Sequence, residues 1–209
     1  MLRLRAGEGR TVVTHRRALI LVCLALVAIV LLGLGLSACG GAKMYTNPTY
    51  GYSFSYPGDW TVKPATSDVT AGGSISASMA AYNPQGTQVQ GNFVDFAQVA
   101  VYPLNSAVTD PWSSSMRAEM EGLLNSLESR TPDVKVEEAL KQTTTAGLKG
   151  YGIIYTFTKD GTPMRSVLYF LFDRTREYEL NEQAAVTAWD RTKPELDNVI
   201  GTFKPGEIK

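Results

Sequence analysis

Met164-Arg165-Ser166-Val167-Leu168-Tyr169-Phe170-Leu171-Phe172 is apolar on both parities, with Leu168 and Phe170 on one face of a strand and Val167, Tyr169 and Leu171 on the other. Such a strand has to be covered on both sides. Just upstream, Thr158-Lys159-Asp160-Gly161 links it to an extended run at 151–157. Asp-Gly between two such runs is a hairpin signal, because the tightest β-turns need positive φ at both central residues. The run 93–102 repeats the two-sided pattern: Phe93, Asp95, Ala97, Val99 and Val101 on one parity, Val94, Phe96, Gln98, Ala100 and Tyr102 on the other. These runs predict a buried antiparallel sheet.

The remaining elements follow outward from that centre. A turn near Asp173-Arg174 leads to 177–182, where Tyr178 and Leu180 share one face and Glu177, Glu179 and Asn181 the other. Clean alternation of that kind predicts an outer strand with a solvated face. Towards the N-terminus, Tyr50-Gly51-Tyr52-Ser53-Phe54-Ser55-Tyr56 alternates aromatic and small residues, Pro57-Gly58-Asp59 turns the chain, and Trp60-Thr61-Val62 extends it again. Residues 64–74 read as a polar loop, 75–82 as a weaker strand ended by Asn83-Pro84, and 83–92 as a second loop. Two helices complete the set. Asp110 as N-cap and Pro111 as first helical residue open one, with Met116, Met120, Leu123, Leu124 and Leu127 on its apolar face to about Ser129 and Pro132 beyond its end. The other spans about 187–200, with Trp189, Leu196, Val199 and Ile200 inward and Pro194 marking a kink or a second start. The fold class is α+β: an antiparallel sheet sandwiched between helices in one domain at 48–209.

The chain has 209 residues, with 20 basic and 20 acidic side chains. Residues 1–38 hold five arginines and one acid, Glu8, so fifteen basic and nineteen acidic side chains follow them. That mild acidity argues against a nucleic-acid partner, which needs a clustered basic surface. His15 is the one histidine, and Cys23 and Cys39 are the two cysteines. From residue 40 onward neither residue type occurs, which rules out a Ser-His-Asp or Cys-His nucleophilic site and a His/Cys zinc site there. A hard cation held by carboxylates stays open.

The arginine-rich start precedes an apolar and glycine run at 18–36, long enough to span a bilayer as a helix. An ordinary signal peptide, a signal anchor and a lipoprotein signal all fit such a run. Leu36-Ser37-Ala38-Cys39-Gly40 resembles the bacterial lipobox, with small residues before the cysteine. The resemblance implies a signal segment at 1–38, diacylglycerylation of the Cys39 thiol, cleavage before it and, in many species, acylation (for example by palmitate) of the new amino group. Two or three acyl chains suffice for stable anchoring. A tether at 39–47 would join the lipid to the domain. Arg16-Arg17-Ala18-Leu19 also resembles a twin-arginine export signal, with His15 where that signal prefers Ser or Thr. The expected location is the extracytoplasmic face of a cell membrane.

The stretch 50–60, read as an aromatic strand, Tyr56-Pro57 and then Trp60, resembles the opening of PsbP-like domains. Tyr178-Glu179-Leu180, a helix, and Ile200-Gly201-Thr202-Phe203 resemble their ending. The resemblance covers about 48–204 and implies the Mog1/PsbP-like α/β/α sandwich rather than an activity. Members include a photosystem II extrinsic subunit, a binder of the Ran GTPase and bacterial lipoproteins. Metal binding is associated with photosynthetic members, and the histidines for it are missing here, so no metal site, cofactor or binding residue is carried over.

Several residues invite sharper readings. Tyr50, Tyr52, Phe54, Tyr56 and Trp60 read as core, with a ligand groove as the alternative. Asp95 on an apolar strand would need a partner, and Arg165 is the candidate. Glu177, Glu179, Glu182 and Asp173 read as a solvated outer face, with a calcium site as the alternative. The functional expectation is a non-enzymatic, membrane-tethered module that binds a protein or envelope component. A small-molecule or lipid-binding lipoprotein tied to transport would need a sizeable aromatic-lined pocket. A carboxylate-dependent hydrolase would need two facing acids in one cleft.

Overall fold

The computed structural model describes residues 41–65, 77–131 and 133–207. The proposed signal segment, with Leu36, Ser37, Ala38 and Cys39, and most of the expected loop at 64–74 lie outside the described residues. Gly41–Lys209 is one unit. Its strands are β1 (Lys43–Thr46), β2 (Ser53–Tyr56), β3 (Thr61–Pro64), β4 (Ala77–Tyr82), β5 (Gln88–Val89), β6 (Asn92–Phe93), β7 (Phe96–Val108), β8 (Lys135–Thr145), β9 (Leu148–Lys159) and β10 (Thr162–Ala185). Its helices are α1 (Ser114–Arg130) and α2 (Trp189–Gly201).

Turn chemistry sets the topology. Gln90-Gly91, Ala146-Gly147 and Asp160-Gly161 have positive φ at both residues, 49° and 79°, 52° and 80°, and 47° and 79°. These two-residue turns join β5 to β6, β8 to β9 and β9 to β10. The main sheet is antiparallel and six-stranded, in the order β3-β4-β7-β10-β9-β8. Within it, β10 doubles back on itself. Its first half pairs with β9 from Thr162 to Phe172, and its second half pairs with β7 from Arg174 to Gln183. Arg174 adopts a φ of 51° at the reversal. The halves are stitched by Val186 N–H to Pro163 C=O at 2.9 Å and by the Ser166 hydroxyl to Glu182 C=O at 3.1 Å. The turn expected near Asp173-Arg174 is therefore present. The outer strand expected at 177–182 is not, because β7 and the first half of β10 flank that segment and place it at the centre of the sheet.

Each face carries one helix. Val167, Leu171, Tyr178 and Leu180 join Val99, Val101 and the α2 residues Trp189, Leu196, Val199 and Ile200 in one core. The β1–β2 hairpin adds Tyr52 and Phe54 to it, both essentially inaccessible, and Trp60 follows them in. The aromatic stripe is thus core packing, with Tyr52 edge-on to Tyr178 at 6.4 Å between ring centroids. Leu168, Phe170, Phe172, Tyr151, Ile153 and Tyr155 face the other way, under Met116 and Met120 of α1.

Four boundaries differ from the sequence expectation. The segment 43–46, expected as tether, pairs with β2 from Lys43↔Tyr56 to Thr46↔Ser53. The strand expected at 93–102 runs from Phe96 to Val108, and Phe93 belongs to the β5–β6 hairpin inside the expected loop. Helix α1 starts after Ser113, whose hydroxyl accepts from Met116 N–H at 3.3 Å. Asp110 instead caps the preceding turn by accepting from Trp112 N–H at 3.1 Å, which sends the Trp112 indole N–H to Gly150 C=O at 3.0 Å. Helix α2 runs through Pro194 from Trp189 to Gly201. Strand β8 had no sequence signal: it is a largely exposed edge with two register shifts.

Candidate functional site

Helix α1 covers its sheet face over β9 and the adjoining half of β10, with Leu104 and Val108 at the far end of β7 joining the same core. Across β7 and the second half of β10, cross-strand pairing aligns Gln98 with Asn181, Ala100 with Glu179 and Phe96 with Gln183. These residues form a polar floor in what is otherwise a hydrophobic sheet. Leu127 and Thr131 at the end of α1 wall one side and the β5–β6 hairpin the other, enclosing a cleft of about 470 Å³. Tyr82 and Phe96 on one flank have ring centroids 5.3 Å apart, and Tyr155 and Phe157 on the opposite flank 5.7 Å. Lys63 and Lys159 also line it, with the Lys63 ammonium 4.6 Å from the centre of the Tyr82 ring. The volume falls within the usual range of small-ligand sites.

The floor residues make few hydrogen bonds within the described part of the chain. Gln98 is 7% exposed and its amide has no hydrogen-bond partner among the described residues. Gln183 spends its N–H on Val94 C=O at 3.1 Å. Glu179, also 7% exposed, accepts one hydrogen bond, from the Tyr102 hydroxyl at 3.1 Å. Burial chiefly, and Glu177 next, push its carboxyl up to about 8, against the opposing effect of the Tyr102 bond. Burial and the same two glutamates keep the Tyr102 phenol protonated.

The four acids grouped by sequence do not form one site. Glu177 shares the sheet face of Glu179 but opens into a different groove, about 740 Å³, between the 104–109 end of β7 and α1. There burial, then Glu119, raises its carboxyl to about 7. Glu182 points to the other face, 3.5 Å from Lys193 Nζ, and is raised to about 7 by burial against the pull of that lysine. Asp173 sits at the β10 reversal. Among the described residues no cluster of three or more metal-ligating side chains exists. The expected Asp95–Arg165 pair is also absent. Arg165 bonds Glu137 at 2.7 Å and stacks over Trp189 at 5.2 Å. Asp95, fully buried, accepts from Thr87 N–H at 2.8 Å and Ala185 N–H at 3.0 Å, pinning the hairpin to the end of β10. Backbone donors satisfy this carboxylate where a cation was expected.

Gln98, Tyr102, Asn181 and Gln183 carried no weight in the sequence reading. Their signal is relational: the β10 reversal brings 177–183 beside β7 and collects polar side chains from two strands onto one face.

No family model matches the chain, and no curated protein matches it. Solved structures resemble it in fold. Cyanobacterial PsbP (CyanoP) from Synechocystis sp. PCC 6803 superposes with a TM-score of 0.52 at 16% identity, covering 82% of this chain and 99% of that one. LpqN of Mycobacterium tuberculosis, described as involved in cell envelope biogenesis, gives a TM-score of 0.52 at 10% identity, covering 80% and 93%. Over the described residues the chain is α+β, with a six-stranded antiparallel sheet and two helices. More narrowly, its fold is PsbP-like.

Proposed function

We propose that this protein is a membrane-anchored extracytoplasmic lipoprotein whose PsbP-like domain is a non-enzymatic binding module, with its ligand taken into the cleft over β7 and β10. One observation carries this reading: a cleft of ligand size lined by Gln98, a largely buried residue whose amide has no hydrogen-bond partner among the described residues. Buried polar groups are normally hydrogen-bonded, and an open one facing a cavity fits a ligand that supplies the missing bond. The aromatic flanks meet the condition attached to small-ligand binding above. Two features favour binding over turnover: Glu177 and Glu179 line different cavities, and neither histidine nor cysteine occurs from residue 40 onward. The lipobox-like Leu36-Ser37-Ala38-Cys39 supports the anchor, and the envelope role named for LpqN is compatible with the location.

Intact mass of protein from its native membrane tests the anchor. The expected product begins at Cys39 with added acyl mass, and Cys39→Ser is expected to lose that mass and leave the membrane fraction. A lipid-free product, or a Cys39→Ser protein that stays acylated, removes the anchor. Native mass spectrometry of the same material tests the module, with a bound small molecule expected in the wild type and lost in Gln98→Leu.

A further inference from the structure

Resting on the binding-module reading, the geometry points to an organic ammonium group, a primary amine or quaternary ammonium head, as the ligand of this cleft. The floor offers one carboxyl, Glu179, with no arginine or lysine among the groups that set its charge. Glu182 and Asp95, the other buried acids of the neighbourhood, have respectively a lysine at 3.5 Å and two backbone N–H donors. Glu179 has a single phenol. A buried carboxylate is costly unless paired, so a cationic ligand would complete what the fold leaves open. The flanks add the second requirement. Aromatic ring faces attract ammonium ions within about 6 Å of the centroid, and one already rests on this wall, Lys63 Nζ at 4.6 Å from Tyr82. That exposed side chain is a stand-in whose place an incoming ammonium can take. Gln98 then has a partner for its amide in any hydroxyl or carbonyl the ligand carries.

The charged side chains lining the cleft are one carboxyl, Glu179, and two ammonium groups, Lys63 and Lys159. On its own strand Glu179 has Glu177; β7 brings Tyr102, β9 brings Tyr155, and α1 brings Glu119 near Glu177 and Arg130 in its last turn. The β5–β6 hairpin brings no charge. Lys63 is two intervening strands, β4 and β7, away from β10, and Lys159 sits where β9 turns into β10. A neutral polyol would satisfy Gln98 equally but leave Glu179, once it ionises near pH 8, without a counter-charge.

The test is titration calorimetry on the full chain in a non-ionic detergent, with choline and its uncharged carbon isostere 3,3-dimethyl-1-butanol as probes. Choline does not titrate, so any pH dependence belongs to the protein. Its affinity is expected to rise about tenfold per pH unit from about pH 6 and to level off near pH 8, as Glu179 ionises. The isostere should bind at least about tenfold more weakly at about pH 9, because it lacks the charge that the ring faces and ionised Glu179 attract. Glu179→Gln, which preserves shape, should weaken choline and flatten its pH profile. Equal binding of the two probes, pH-independent choline binding, or silence from both would overturn the ammonium assignment. If choline is silent while mass spectrometry still shows a small molecule lost in Gln98→Leu, the ammonium assignment falls and the binding module stands. Loss of both signals removes both.

Discussion

Replacing Glu179 by Gln should stabilise the folded domain, and only at neutral to alkaline pH. In the fold this carboxyl holds its proton up to about 8, against an ordinary 4.5. Between those values the folded state binds a proton that the unfolded chain has released. Stability therefore falls as pH rises through that window. A gap of about 3.5 pH units at about 1.4 kcal/mol each sets a ceiling near ~5 kcal/mol. Integrated from about pH 5 to about pH 9, the loss from this one residue is about 3–4 kcal/mol. Solvent screening trims little from it, because Glu179 is 7% exposed. Gln keeps an oxygen for the Tyr102 hydroxyl and cannot ionise. Urea denaturation of both proteins should give nearly equal stabilities at about pH 5 and a variant more stable by about 3 kcal/mol at about pH 9. In thermal melts the same difference is about 10 °C for a domain of this size. If the difference is the same at both pH values, or the variant is weaker at both, Glu179 is not held protonated by burial and the picture of an uncompensated carboxyl fails.

Other substitutions test the scaffold around the cleft. Gly150→Ala would place a Cβ 1.8 Å from the Phe170 carbonyl oxygen, so a loss of about 3 kcal/mol is expected by chemical denaturation, and a neutral outcome would contradict the β9–β10 packing. Asp95→Asn converts one of two acceptors into a donor facing a backbone N–H, at an expected cost of about 1–3 kcal/mol; faster hydrogen exchange at Thr87 and Ala185 is the site-specific readout. Ser113→Ala should cost about 1 kcal/mol by removing the α1 cap, whereas Asp110→Ala should leave helix content by circular dichroism unchanged.

The sheet was legible because its centre is written in local code. Two-sided apolar runs at 93–102 and 164–172 and the Asp160-Gly161 turn require burial and reversal wherever the chain goes next. The elements lost to sequence reading are those whose stability comes from partners. Strand β1 exists by pairing with β2, and β8 is a polar edge that owes its shape to β9 and to a φ of 35° at Leu140. The same distinction explains the error at 177–182. Alternation of Tyr178 and Leu180 with Glu177 and Glu179 is the correct pattern for one face in a dry core and one face polar; it does not say whether the polar face meets water or a cleft floor. That answer lies in α1, which ends at Arg130 and so leaves the floor over β7 bare.

Among the described residues three buried acids meet their cost in three ways, and the contrast shows what is unusual about the cleft. Asp95 is met by main-chain donors that also lock a hairpin, and Glu182 by Lys193, itself paired with Asp197 on the next turn of α2. Both arrangements draw their partners from within the fold, although the Glu182 oxygen facing Lys193 has an ion-pair contact and no hydrogen bond. Glu179 is met by one phenol, beside the Gln98 amide, which has no hydrogen-bond partner among the described residues, and between two pairs of aromatic rings. Replacing Glu179 and Gln98 by Leu or Met would cover the same sheet face without that penalty, since a well-packed apolar pair outperforms an unpaired polar one. Stability alone thus gives no reason for these residues at the centre of the sheet. A ligand that restores the missing charge and hydrogen bond does, and it would stabilise the domain by mass action each time it binds.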